Sequence, residues 1–114
     1  ESITERIAHK VNEDIYVVYT DYASDFTGDY TAIIGHRVLS KSNQAEDIVS
    51  VEVPAGDYAL FPVSGEMPEA MINTWRFIWE NDGSLRRKYS YDFELYPAPG
   101  VHAENRQIEV YIAR

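Results

Sequence analysis

Six residues, Tyr91-Asp92-Phe93-Glu94-Leu95-Tyr96, alternate so regularly in character that an extended strand is the conformation giving each kind a consistent environment. Successive side chains of a strand point to opposite faces, so Phe93 and Leu95 share one face and Asp92, Glu94 and Tyr96 the other. A second stretch, Gln107 to Ile112, repeats the scheme, with Ile108, Val110 and Ile112 on one side and Glu109 and Tyr111 on the other. Paired as a hairpin, the two strands are expected to join their apolar faces over a core. Glu94, Tyr96, Glu109 and Tyr111 then share the opposite face. Carboxylates set among phenol rings suit a lipophilic cation. The same pattern also describes an ordinary solvent-exposed sheet face, with Glu109 a surface acid.

The chain has 114 residues, enough for one domain with a real core and too few for two. It carries 10 Lys+Arg against 19 Asp+Glu, a formal charge of −9. Nucleic acid and anionic membranes are therefore poor partners, because phosphate binding needs clustered bases. The short basic run Arg86-Arg87-Lys88 reads as a solvated turn. No cysteine is present, which removes disulfides, thiolate metal sites and cysteine catalysis and fits a cytoplasmic location. No segment reads as a membrane span or a signal peptide. Nine tyrosines stand out. Tyrosine offers ring area and a hydroxyl at modest entropic cost, and it is also a good strand residue.

Along the chain, Ser2-Ile3-Thr4-Glu5 has the form of a capping box before a short helix reaching about His9. Asn12 to Asp14 turns into a β-prone strand, Ile15 to Thr20. A polar loop ending at Thr27-Gly28-Asp29 leads to its hairpin partner, Tyr30 to Gly35. Ser40 to Asp47 reads as a linker. Val49, Val51 and Val53 alternate with polar residues and predict a strand ending at Pro54. Tyr58 to Val63 is the next strand. Pro68 suits a helix start, and Met71, Ile72, Trp75, Ile78 and Trp79 recur at helical spacing through residues 68–81, which Asn81-Asp82-Gly83 closes. The loop Pro97 to Asn105 joins the last two strands. Helix followed by hairpin occurs twice, and Tyr16-Val17-Val18-Tyr19 overlays Phe93-Glu94-Leu95-Tyr96. This repeat predicts an α+β fold with pseudo-two-fold symmetry, repeat one covering about 1–38 and repeat two about 48–114. Concave sites form where such halves meet.

The candidate ligand-binding residues are Glu94, Tyr96 and Tyr111, joined by Tyr19 and, through the repeat alignment, Ile33. Trp75 is a further candidate beside its core role of pinning the helix on the sheet with Trp79. His9, His36 and His102 lie in different elements without metal-ligand spacing, and Asp21, Asp25 and Asp29 lack a calcium-loop pattern. Nucleophile elbows, phosphate loops and dinucleotide fingerprints are absent. No metal, cofactor or catalytic residue is expected.

Pro54-Ala55-Gly56-Asp57-Tyr58-Ala59-Leu60-Phe61, then Gly65, Trp75 and Trp79, resembles the GyrI-like small-molecule-binding family, the effector-binding domain of AraC- and MerR-type regulators. Tyr16 to Tyr22 with Thr27 to Tyr30 is similar to the stand-alone, integron-cassette-associated effector-binding proteins within it. The likeness runs from about Ile15 to Arg114. It implies two βαββ repeats forming an antiparallel sheet, with helices on one side and a cleft between the halves. It also implies binding of lipophilic, often cationic compounds, with Glu94 at the position of the acid that meets the charge. Repeat one lacks the strand that opens repeat two; that strand lies outside this sequence or is supplied from elsewhere. The resemblance leaves three functional classes open: a non-enzymatic sensor of lipophilic cations, a protein-interaction module of the gyrase-inhibitor type, and a small-molecule hydrolase with Glu94 as general base.

Overall fold

The computed structural model describes residues 7–24, 27–40, 44, 46, 48–98 and 107–114. Five strands form one antiparallel sheet: β1 (Ile15–Thr20), β2 (Thr31–Gly35), β3 (Tyr58–Val63), β4 (Asp92–Tyr96) and β5 (Ile108–Ala113), in spatial order β2-β1-β4-β5-β3. β-Branched and aromatic residues dominate β1 and β5, as a pleated, half-buried surface favours. Between β3 and β4 lie helix α1 (Glu69–Glu80) and the single turn α2 (Asp82–Leu85). Pro68 occupies the N-cap of α1, and Glu69 places a negative charge at the positive end of its dipole. At the other end the Asn81 backbone N–H and its side-chain Nδ2 both donate to the Phe77 carbonyl. The chain leaves α2 through Arg86, which adopts a left-handed conformation at φ 55°. This is an α+β architecture.

The two hairpins meet along β1 and β4, where Val17 lies opposite Glu94; on the other side of β4, Glu94 lies opposite Val110. Residues directly opposite one another share a face. One face therefore carries Val17, Tyr19, Asp92, Glu94, Val110 and Ile112, and α1 packs on its β5–β3 half. Ile78, Val110 and Ile112 are fully buried there, with Val63 and Ala70 beside them and Phe61, Met71 and Trp75 packed around. Each such aliphatic side chain contributes roughly 1.5–3 kcal/mol by leaving water. The second face carries Tyr16, Val18, Phe93, Tyr111 and Tyr58. Phe93 stacks on Tyr111 at 4.5 Å and touches Tyr58 at 5.6 Å and Tyr16 at 5.9 Å.

This register corrects the face assignment expected from the sequence. Phe93 and Leu95 do not join Ile108, Val110 and Ile112. They lie with Tyr111 and Glu109, opposite which they pair. The sheet is covered on both sides: aliphatic residues and α1 fill one, an aromatic stack occupies the other. Glu94 consequently sits on the helix-bearing face.

Other expectations change as well. Residues 49–53 form no strand; Val49 and Val51 remain 73% and 42% exposed, and the segment crosses the aromatic face as an irregular strap. Alternation had indicated extended backbone, but neither sheet edge supplies it with a partner. Tyr58 ties the end of the strap to the sheet by donating from its hydroxyl to the Pro54 carbonyl at 2.8 Å. Arg87 is no solvated residue: its side chain is 1% exposed. Ala8 and His9 form a turn, with His9 at φ 63°, rather than the end of a helix. The capping box at Ser2 to Glu5, Asp25, His102, most of the Ser40–Asp47 linker and most of the Pro97–Asn105 loop fall outside the described residues. None of the described helices is long and apolar enough to cross a membrane.

Candidate functional site

β4 places two acids, Asp92 and Glu94, on the face that bears α1, and both are buried, at 0% and 4% exposure. Burying a carboxylate is costly unless its charge is met by partners. The two acids meet that requirement differently.

Asp92 is neutralised. Arg87 donates to its Oδ2 at 2.8 Å, the Tyr22 hydroxyl donates to the same oxygen, and the Ala113 backbone N–H donates to Oδ1 at 2.8 Å. Arg87 also lies 4.3 Å from the centre of the Tyr89 ring, and the Tyr89 hydroxyl donates to Asp82. Burial alone would pull the Arg87 guanidinium down; the hydrogen bond and charge of Asp92 outweigh this and hold it above its ordinary value. Asp92 thus locks the α2–β4 connection to the end of β5.

Glu94 receives hydrogen bonds but no counter-charge. The Tyr19 hydroxyl and the Trp75 indole N–H donate to Oε2 at 3.0 and 2.7 Å, and the Tyr96 hydroxyl donates to Oε1 at 2.7 Å. These donors come from β1, α1 and β4, so the carboxylate ties three elements together. No described lysine, arginine or histidine forms an ion pair with it. Three neutral donors stabilise a negative charge without cancelling it. Burial, then the adjacent Glu94 charge, pushes the Tyr19 phenol well above its ordinary range; burial and the hydrogen bond to Glu94 do the same for Tyr96. Both therefore remain donors at neutral pH.

Around this carboxylate the rings form a wall. Tyr19 meets Tyr30 edge-on at 5.5 Å and Trp75 edge-on at 5.6 Å, and Trp75 lies 6.1 Å from Trp79. Tyr30 and Trp79 are 54% and 43% exposed, so the wall runs from the buried acid to solvent. Ring faces attract cations electrostatically, as the carboxylate does. Chemically, the arrangement can receive a positive charge on an apolar body. Among the described residues no three acids or histidines are grouped to hold a metal ion.

Of the residues singled out in the sequence, Glu94, Tyr96, Tyr19 and Trp75 converge. Tyr111 and Ile33 do not: Tyr111 lies opposite Phe93 and Ile33 opposite Val18, which places both on the other face. The repeat alignment for Ile33 was one residue out, because Val17, the partner of Glu94, pairs with Ile34. Tyr111 instead donates to Glu109 at 2.7 Å, and burial with this bond raises its phenol to about 12. Tyr30 was missed as part of the wall. Its signal was its place one residue before the strand that flanks Tyr19.

A family model described as integron-associated effector binding protein matches residues 1–113. The chain is 27% identical over 108 residues to YobU of Bacillus subtilis (strain 168), whose name suggests a transcriptional regulator, covering 90% of this chain and 64% of that protein. Its fold matches the crystal structure of an integron cassette protein from the mobile metagenome of Vibrio cholerae with a TM-score of 0.69 and 34% identity, covering 90% of this chain and 63% of the other. The chain thus spans less than two thirds of the length of both relatives. The chain belongs to the family of integron-associated effector-binding proteins.

Proposed function

We propose that the effector is a small lipophilic cation held against Glu94, and that the protein is a non-enzymatic sensor of regulator-like or stand-alone type. The observation that carries this reading is the contrast between neighbours: Asp92 is matched by Arg87, whereas Glu94 is equally buried with no described cation beside it. At an effective dielectric near 20, a cation about 4 Å from the carboxylate gains roughly 4 kcal/mol before desolvation, and each ring face adds about 0.5–2 kcal/mol. A neutral ligand of the same shape gains neither. The acidic, cysteine-free composition fits a cytoplasmic sensor, and the name of the Bacillus relative fits a regulatory use.

Trp75 donates directly to Glu94, so its fluorescence is a built-in reporter. Tetraphenylphosphonium and the neutral triphenylphosphine oxide are titrated into the wild type and Glu94→Gln. The expected result is at least about tenfold weaker binding of the cation in the variant, corresponding to loss of a charge-assisted contact, with the neutral compound changed by less than about twofold. Equal affinity of the cation for both proteins overturns the assignment.

A further inference from the structure

The aromatic face holds a separate cavity of about 630 Å³, lined by residues 48–54 and by Tyr16, Phe93, Tyr111, Tyr58 and Ile33. Its volume falls within the range of small-molecule sites, roughly 300–1,000 Å³. The sheet separates it from Glu94: Phe93 and Glu94 are consecutive on β4 and point to opposite sides. Its lining includes an aromatic cluster with Phe93 and Tyr111 stacked nearly parallel, 15° apart, a surface that a flat ring can continue.

His36 lines the same cavity. Its Nδ1 lies 2.8 Å from the Asp14 carbonyl oxygen, which can only accept, so Nδ1 carries the proton. The neutral ring then presents Nε2 as an acceptor. That nitrogen is shielded from water and has no hydrogen-bond partner among the described residues. An unsatisfied buried acceptor is uncommon, and a ligand donor is one way to satisfy it. The strap is held by no strand pairing and keeps Val49 and Val51 largely exposed, so it can shift to admit a ligand.

We infer that this cavity is a second small-molecule site, distinct from the one at Glu94, for a flat, uncharged aromatic compound bearing an O–H or N–H donor. The inference is independent of the cation reading, since it uses the other face of the sheet. Its occupant differs in kind. The acid that lines it, Glu52, is exposed, so a cation meets no buried carboxylate here, while a phenol or aniline meets rings and a lone pair.

2-Naphthol and its methyl ether, 2-methoxynaphthalene, are suitable probes, measured by calorimetry and by displacement against tetraphenylphosphonium. 2-Naphthol is expected to bind about three- to tenfold more tightly than the ether, in line with one net hydrogen bond. His36→Phe should abolish that preference while retaining the ether, and Ile33→Trp, which adds bulk to the cavity lining, should weaken both compounds. Glu94→Gln should bind 2-naphthol as the wild type does, and tetraphenylphosphonium should not displace it. Thermal melts establish that each variant is folded. Displacement by the cation, or loss of 2-naphthol binding in Glu94→Gln, would show a single site and overturn the inference. So would absence of 2-naphthol binding, or equal binding of naphthol and ether.

Discussion

Replacing Asp92 with Asn tests how much the fold depends on the buried pair between Asp92 and Arg87. Asn keeps the size of the side chain and an oxygen for the Ala113 N–H, but it turns an amide N–H₂ toward the Arg87 and Tyr22 donors, so the change removes the charge together with the acceptor they share. Arg87 would remain in place with its side chain 1% exposed and its nearer anion gone. Among the described residues one anion, Asp82, remains beside it, at 3.4 Å and 26% exposed, which offsets part of the loss. Removing one member of a buried pair costs about 3–5 kcal/mol, and the residual contact with Asp82 argues for the lower end, about 3 kcal/mol. For a domain of this size that is a fall in melting temperature of about 10–20 °C. Arg87→Met should cost about 2–4 kcal/mol, because Asp92 keeps its neutral donors. The double variant should be less destabilised than the sum by at least about 1.5 kcal/mol, since neither charge is then left alone. Urea unfolding followed by circular dichroism measures all three. Additivity within about 0.5 kcal/mol would refute the view that these two groups stabilise the fold as a pair.

Alkaline titration should be biphasic. Five of the nine tyrosines (Tyr19, Tyr22, Tyr58, Tyr96 and Tyr111) are held above the ordinary value, burial being the leading cause in each. Because the folded state retains their protons longer, their contribution to stability is complete below about pH 10 and declines as pH rises through about 12, where Tyr111 titrates. Absorbance at the phenolate band should therefore rise for some tyrosines before unfolding and for the rest only with it; one smooth step centred near pH 10 would contradict the burial. Gly65 adopts φ 113°, a region that side chains avoid, so Gly65→Ala should destabilise by about 1 kcal/mol or more in the same urea assay, and a neutral effect would refute the strain. Ile78→Ala, at a fully buried position between α1 and the sheet, should cost about 2–5 kcal/mol, and a cost below 1 kcal/mol would mean that α1 contributes little to the core.

The five strands and the long helix were legible in the sequence, the helix and the last two strands through their own period and the other three as β-prone runs bounded by turn residues. Alternation along Asp92 to Tyr96 correctly separated Glu94 from Phe93. It could not say which face of the next strand Glu94 would join, because register is a relation between strands. Matching like with like paired Phe93 with the aliphatic run of β5. The observed register sets it against Tyr111 instead, since a sheet covered on both sides offers two apolar environments. The same limit misplaced Ile33. Val49 to Val53 shows that alternation becomes a strand only where the segment runs along a sheet edge; this one crosses the aromatic face instead. Arg87 was hidden for another reason: the chain turns through left-handed residues on both sides of it, Arg86 and Tyr89, which brings it back to Asp92 and Tyr89 in a way that charge clustering does not reveal. Tyr19, Tyr96 and Trp75 gather at Glu94 because each brings a hydrogen-bond donor on a ring, the chemistry an isolated buried acid requires.

All of the directional bonds at Glu94 run between groups of the protein. Tyr19, Trp75 and Tyr96 fix the carboxylate whether or not anything occupies the space beside it. Under the proposed function, an incoming cation would be met by a net charge and by ring faces, forces that fall off smoothly with position and make little demand on orientation. A receptor of that kind would discriminate by sign of charge and by greasiness, and hardly by outline. On that proposal, affinities across unrelated organic cations should follow their ease of transfer out of water, and the protein would detect a chemical property shared by many molecules.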